Sequence, residues 1–256
     1  MPRRGGLWRP ALAMRRVSVL TAAVVHGRGV TTAAVKFSGD PAVRQTVDLD
    51  LGTVLDMARH HWHRDSQTGG RHPVLHPLEE ATGLHYSLAQ CPIIGPHAVL
   101  PEVAADIQVP TELCRRLRQC NLWVGTVAAR SNPHFDSSHN LLCVLAGRKR
   151  VALAPPAAAA RFQLNEVWDT PRFNHAAADL ADPGAGSAAT PQSSCASGLL
   201  EAVVHPGDVL FIPEGWFHTV ISDPGTVAVN LWWPGAAAAL LDRAVAPAAT
   251  VGLGLY

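Results

Sequence analysis

The sequence predicts a mainly β protein, an antiparallel sandwich or barrel with flanking helices. Two observations carry this. From Leu122 onward, short apolar runs alternate with Gly, Pro, Asp and Asn: LWVGTV, NLLCVLAG, KRVALAPP, EAVVHPGD, VLFIPEGWFHTVIS and TVAVNLWW. Strands of this length, bounded by turn residues, mark a sandwich or barrel. Of the 256 residues, 48% are apolar. A chain of that length and composition suits one sizeable domain whose core needs no disulfide staples.

The elements follow in order. Residues 1–38 form a basic leader. It holds no acid before Asp40, but Arg3, Arg4, Arg9, Arg15, Arg16, Arg28 and Lys36 are all basic. An acid-poor, Arg-rich leader resembles an organellar transit peptide. The alternative is a disordered basic tail, favoured by the scarcity of serine, and a strand is expected near Val17–Val25. Residues 39–121 are the helix-bearing N-terminal part of the domain. Leu49, Val54, Leu55, Ala58 and Trp62 lie at helical spacing, which predicts a helix over 48–62. Residues 63–77 read as a polar loop around Gly69, Gly70, Pro73 and Pro77. LHYSLAQ (84–90) reads as a strand, and Pro110–Thr111 opens a short helix. Residues 122–234 are the strand-rich core. It is interrupted at 176–198 by a stretch too poor in large apolar residues to bury a core, expected as a flexible insert. Residues 235–256 form the tail, with a short Ala-rich helix expected at 235–245.

Composition narrows the function classes. Lys plus Arg number 21 and Asp plus Glu 20, so no general basic field draws nucleic acid. The run Arg115-Arg116-Leu117-Arg118 is the sole hint of RNA, and such a run is more often a solvated helix face. Five cysteines, with no Cys-x-x-Cys, argue against a disulfide framework and a thiolate zinc site. They read as reduced thiols in an intracellular compartment, cytoplasm or nucleus unless the leader redirects the chain. No apolar run reaches eighteen residues, so no membrane-spanning helix is expected.

The chemistry-bearing residues begin at Ser131-Asn132-Pro133-His134-Phe135-Asp136. On an extended segment, His134 and Asp136 point to one face and Phe135 to the other. Far downstream, Pro206-Gly207-Asp208 leads through LFIP to Gly215-Trp216-Phe217-His218. A turn, a buried strand, a second turn and a histidine would bring a third ligand into a barrel. Two histidines and one carboxylate make the facial triad of non-haem iron(II) oxygenases, with three positions left open. His139 lies three after Asp136, out of phase on a continuing strand, and reads as a surface residue or a support. His60, His61, His63, His72 and His76 offer a rival metal cluster. Without an acid or thiol ligand at a known spacing, they read as a polar helix end and loop.

The stretches SNPHFDSSHNLLCVLAGRKRVALAPP (131–156), PGDVLFIPEGWFHTVIS (206–222) and TVAVNLWW (226–233) resemble the JmjC proteins of the cupin-like group. The nearest likeness is to the small JmjC-only hydroxylases, over about residues 84–233. This implies a double-stranded β-helix, a jelly roll or cupin barrel. It implies a 2-oxoglutarate-dependent dioxygenase using Fe(II) and O2, with 2-oxoglutarate as co-substrate. The metal triad falls on His134, Asp136 and His218. Lys149 matches the lysine that pairs with the distal carboxylate of 2-oxoglutarate, and strand alternation turns it opposite to Arg148 and Arg150. Ser131 matches the hydroxyl beside that carboxylate. Asn140 and Asn230 match the family's amides, and Trp232 its aromatic position. Relatives often place a co-substrate tyrosine three before the Gln of this strand. Ser87 holds that place here, and Tyr86 stands one earlier, so a bulge is needed to restore the contact. The implied reaction is hydroxylation of a protein side chain. Lysine demethylation, tRNA-base hydroxylation and a non-catalytic metal-binding interaction module are the alternatives. The ligands must be deprotonated to bind metal, so activity is expected to fall in acid. The oligomeric state is not encoded in any of these features.

Overall fold

The computed structural model describes residues 13–23, 45–68, 76–161 and 199–236. The expected insert at 176–198 and tail helix at 235–245 lie outside these residues, save for the first two of the tail. The described strands are β1 (Arg16–Ala23), β2 (Thr46–Asp50), β3 (Leu84–Ile94), β4 (Gln119–Gly125), β5 (Ala129–Arg130), β6 (Ser138–Ala146), β7 (Lys149–Ala154), β8 (Leu200–Val204), β9 (Val209–Ile212), β10 (Phe217–Ser222) and β11 (Val227–Pro234). The α-helices lying within the described residues are α1 (Leu51–Thr68) and α2 (Pro77–Thr82). Seven strands form one sheet in the order β2, β1, β3, β4, β11, β6, β9, and four form a second in the order β5, β10, β7, β8. All the pairings are antiparallel. The expected mainly β fold is borne out.

Period-two alternation places the core. On β11, Val227, Val229 and Leu231 turn to the outer face of the seven-stranded sheet. There they pack with Leu122 and Val124 of β4 and with Leu51, Val54, Leu55, Met57 and Ala58 of α1. Ala228 turns inward and meets Leu142, Val144 and Ile212 from its own sheet and Val151, Leu153 and Val204 from the other. The two sheets therefore pack face to face, each strand sorting its side chains by parity. Gly147, between β6 and β7, has φ 73°, and a Cβ there would lie 2.6 Å from Thr226 Oγ1. Only glycine fits both the backbone and the space.

Several local expectations need correction. Residues 48–50 belong to β2, not to the helix, because Asp48 to Asp50 pair with β1. Helix α1 continues to Thr68, into the first six residues of the segment 63–77 expected as loop. His63–Thr68 is polar but contains no breaker before Gly69. Helix α2 was not foreseen. Pro77 starts it, the His76 side chain accepts from Leu78 N, and Glu79 reaches back to His76 N at 3.0 Å. This is a capping box with histidine in the place usually held by Ser or Thr. The helix expected at Pro110–Thr111 is only a run of turns, in which Cys114 N bonds both Pro110 and Thr111 carbonyls. The strand expected near Val17–Val25 is, by contrast, present as β1 (Arg16–Ala23), which lies between β2 and β3 and buries Val17 and Val19.

Candidate metal centre and its cavity

His134 lies in the segment joining β5 to β6, and His218 is the second residue of β10. A two-bond bridge fastens them: His134 N donates to His218 O at 3.1 Å and His218 N to His134 O at 2.7 Å. The imidazole centroids stand 4.3 Å apart. Asp136 is held by Gly215 N, which donates to its carbonyl at 2.9 Å. Its carboxylate oxygens lie 4.0 Å from His134 Nε2 and 3.7 Å from His218 Nε2. One ligand atom from each residue falls within 4.8 Å of the others.

The other ring nitrogens settle the tautomers. His134 Nδ1 is 2.7 Å from the Asn132 carbonyl, and His218 Nδ1 is 3.0 Å from the Trp216 carbonyl. A carbonyl can only accept, so each Nδ1 carries the proton. Each Nε2 lone pair is then left for the common centre. Two imidazoles and a carboxylate on this geometry suit a divalent first-row metal with open positions.

The triad opens on a cavity of about 330 Å³ between the sheets. Lys149 lines it and is buried, while Arg148 and Arg150 are exposed, as alternation predicts. Lys149 Nζ donates to Ser222 Oγ at 2.6 Å. Burial pushes its ammonium down to about 8. Ser131 Oγ accepts from Val220 N at 2.9 Å, which leaves its own proton to donate. Asn230 Oδ1 accepts from Asn121 Nδ2 at 3.0 Å and Trp123 Nε1 at 3.1 Å. Asn140 Oδ1 and Trp232 Nε1 are buried with no hydrogen-bond partner among the described residues. They stand directly opposite across β6 and β11. Orphaned polar atoms in a cavity wall call for a bound molecule to complete them.

One expected contact is misplaced. Tyr86 is buried in the outer-face core, and its hydroxyl donates to Thr82 Oγ1 at 2.9 Å. It does not line the cavity; Ser87 does. The bulge in β3 lies between Leu88 and Cys91, after this pair, and so does not change which of them faces in. Sequence reasoning also missed Ser222, Asn121 and Trp123. The signal for Ser222 was present: counting by two from His218 along β10 gives Val220 and Ser222 on one face, and all three line the cavity.

The rival residues serve elsewhere. His139 Nδ1 accepts from Glu214 N at 2.9 Å, and its ring packs on Phe211 and Trp233. His76 caps α2, with Nε2 3.4 Å from Asp56 and its ring edge-on to His60. His61 and His63 fall on α1 with side chains outside the described residues, as is all of His72. Arg116 bonds the Pro234 carbonyl from the surface. Cys91 and Cys120 are free and buried, and desolvation pushes their thiols up to about 11 and about 12. Such thiols are inert. No described helix is long and apolar enough to cross a membrane.

Two antiparallel sheets packed face to face, with a candidate metal centre between them, define a cupin jelly roll. Residues 80–238 match the cupin-like domain family, and the chain belongs to that family. It is 34% identical over 206 residues to lysine-specific demethylase JMJ31 of Arabidopsis thaliana, covering 77% of this chain and 37% of that protein. It is 28% identical over 210 residues to the human bifunctional peptidase and (3S)-lysyl hydroxylase JMJD7, covering 75% and 60%. It is 30% identical over 148 residues to tRNA wybutosine-synthesizing protein 5 of Gallus gallus, covering 56% and 42%. The resemblance to small JmjC proteins is thereby borne out, and the chain spans less than two thirds of each of these relatives.

Proposed function

We propose that the chain is an iron(II)- and 2-oxoglutarate-dependent oxygenase that hydroxylates a side chain of another protein. The observation that carries this reading is a three-donor metal set and a buried lysine in one cavity. A 2-oxo dicarboxylate suits that pairing. Its keto acid end needs adjacent open positions on a metal, and its far carboxylate needs a cation.

His134, Asp136 and His218 would hold the iron. Lys149 and Ser131 would hold the distal carboxylate, while Asn140, Asn230 and Trp232 would border the metal-bound end. Iron and 2-oxoglutarate supply the activation of O2, with one oxygen going to the substrate and the other to succinate, and CO2 released. The chain's own part is to orient and to exclude water: Leu142, Ile212 and Val220 wall the site with apolar surface.

A protein substrate is favoured by the likeness to the lysyl hydroxylase JMJD7 along three quarters of this chain. The likeness to the demethylase JMJ31 supports a second reading, in which the same chemistry falls on an N-methyl group. The tRNA reading has the exposed Arg115–Arg118 run and a shorter match.

The test is anaerobic loading with iron(II) and 2-oxoglutarate, admission of O2, and measurement of succinate beside His134→Ala and Lys149→Ala. Succinate that needs both residues supports the oxygenase. Absence of both turnover and 2-oxoglutarate binding would move the non-catalytic binding module ahead. Peptide products then separate the outcomes: hydroxylation adds one oxygen in mass, whereas demethylation removes a methylene.

A further inference from the structure

We propose that Ser222 is the positioning residue for Lys149, holding its ammonium in place for the distal carboxylate assigned to it above and adding a hydroxyl donor beside it. The proposal rests on the oxygenase reading above and deepens it. Lys149 and Ser222 are direct partners in the pairing of β7 with β10. They are 7% and 8% exposed, and Nζ to Oγ is 2.6 Å. Ser222 lies on the same face of β10 as His218, four residues on, or about 13 Å of strand. One strand thus carries a metal ligand near one end of its inward face and the positioning hydroxyl at the other.

The hydrogen-bond arithmetic makes this end of the cavity anion-selective. An ammonium has only donors. Ser222 Oγ takes one of its three N–H groups, and the other two have no partner among the described residues. Because the hydroxyl accepts from the lysine, its own proton is free to donate. Both residues therefore present donors to the cavity. No described carboxylate forms an ion pair with Lys149, and Asp136 is the one acid among the residues lining the cavity. A buried cation without a counter-charge is costly, and an incoming carboxylate supplies that charge. The lowered lysine pKa accords with an amine desolvated ahead of its partner.

Ser222 also does what no neighbouring phenol can. The Tyr86 hydroxyl is committed to Thr82 on the far side of β3, and among the described residues the Lys149 ammonium is bonded by Ser222. A lysine side chain has several rotatable bonds and about 2 kcal/mol of rotamer entropy. The contact at Oγ removes much of that freedom before the ligand arrives.

The test is calorimetric binding to the full chain loaded with Mn(II) under anaerobic conditions, so that no turnover is involved. The probes are 2-oxoglutarate and 2-oxopentanoate, which has the same carbon chain without the distal carboxylate. Ser222→Ala should weaken 2-oxoglutarate about tenfold, the size of one charge-assisted hydrogen bond, and leave 2-oxopentanoate unchanged. Ser222→Thr should restore the preference. Equal weakening of both probes, or no change for either, overturns the proposal, as does failure of threonine to rescue. Lys149→Met should abolish the preference altogether. If it does while Ser222→Ala does not, the positioning role falls and the oxygenase reading stands. If Lys149→Met keeps the preference, or the wild type binds no 2-oxoglutarate, the co-substrate assignment falls and the positioning role with it.

Discussion

Each triad histidine is fixed through the nitrogen that faces away from the shared centre, and each Nδ1 donates to a backbone carbonyl two residues upstream. The tautomer is thus set by the chain and survives most side-chain changes nearby. Removing a ligand is different. Asp136→Ala should lower metal affinity by about 100-fold or more, read by titration with Mn(II), because the two imidazoles alone leave the charge unbalanced. Lys149 is a second residue with a defined cost. Burial holds its ammonium at about 8 in the fold against the ordinary lysine value of 10.5. Between those values the unfolded chain binds more protons, so the ligand-free protein should gain stability as pH rises from 8 toward 10.5. Denaturant unfolding at several pH values measures this, and Lys149→Met should flatten the rise. The affinity for 2-oxoglutarate should move oppositely, weakening as pH passes through about 8 and the ammonium is lost.

Among the elements, α2 and the turn after β6 are the most exposed to single changes. Glu79 is fully buried, and its carboxylate receives His76 N and faces His85 Nδ1 at 3.3 Å and Thr126 Oγ1 at 3.5 Å. Glu79→Ala removes the capping box and strips partners from buried groups, so a loss of about 2–4 kcal/mol is expected from denaturant unfolding. Gly147→Ala forces a left-handed backbone on a residue with a Cβ and drives that atom into Thr226. A loss of about 1–3 kcal/mol should follow, with little change in metal affinity, since the turn lies at the far end of β6 from the triad. Sequence patterns read these elements unevenly. The strands of residues 122–234 were legible because parity and turn residues agree in each. Helix α2 was not, because a histidine cap has no place in the usual Ser, Thr, Asp or Asn signature. The run at Pro110 carried a start signal, but its carbonyl is shared between turn and helical bonds and the helix never propagates.

At the scale of the molecule, the site is made by two sheets meeting. His134, Asp136, Lys149, Ser222 and His218 come from the four-stranded sheet and the segments flanking it. Asn140, Asn230 and Trp232 come from the seven-stranded one. Metal binding should therefore stabilise the whole fold by mass action. At a free concentration a hundredfold above Kd the gain is about 2.7 kcal/mol. A rise in melting temperature with Mn(II) that vanishes in Asp136→Ala would show it. The first strand matters at this scale too. Deleting residues 1–23 takes β1 from between β2 and β3 and uncovers α1, so the product should be insoluble or unfolded, judged by circular dichroism and gel filtration.

The sequence by itself determined the mainly β class, the segments that become the core strands, the candidate triad and the inward lysine. Each depends on local spacing or motif: period two along a strand, a step of two from His134 to Asp136, an alternating position between Arg148 and Arg150. Tertiary structure decided what depends on which strands become neighbours. It turned Tyr86 into the core and gave its expected place to Ser87. It set Ser222 opposite Lys149, and it built β1 into a sheet from a stretch that reads as a leader. A strand's periodicity says that alternate residues share a face, but burial and partners are properties of the opposing strand, and only folding supplies that.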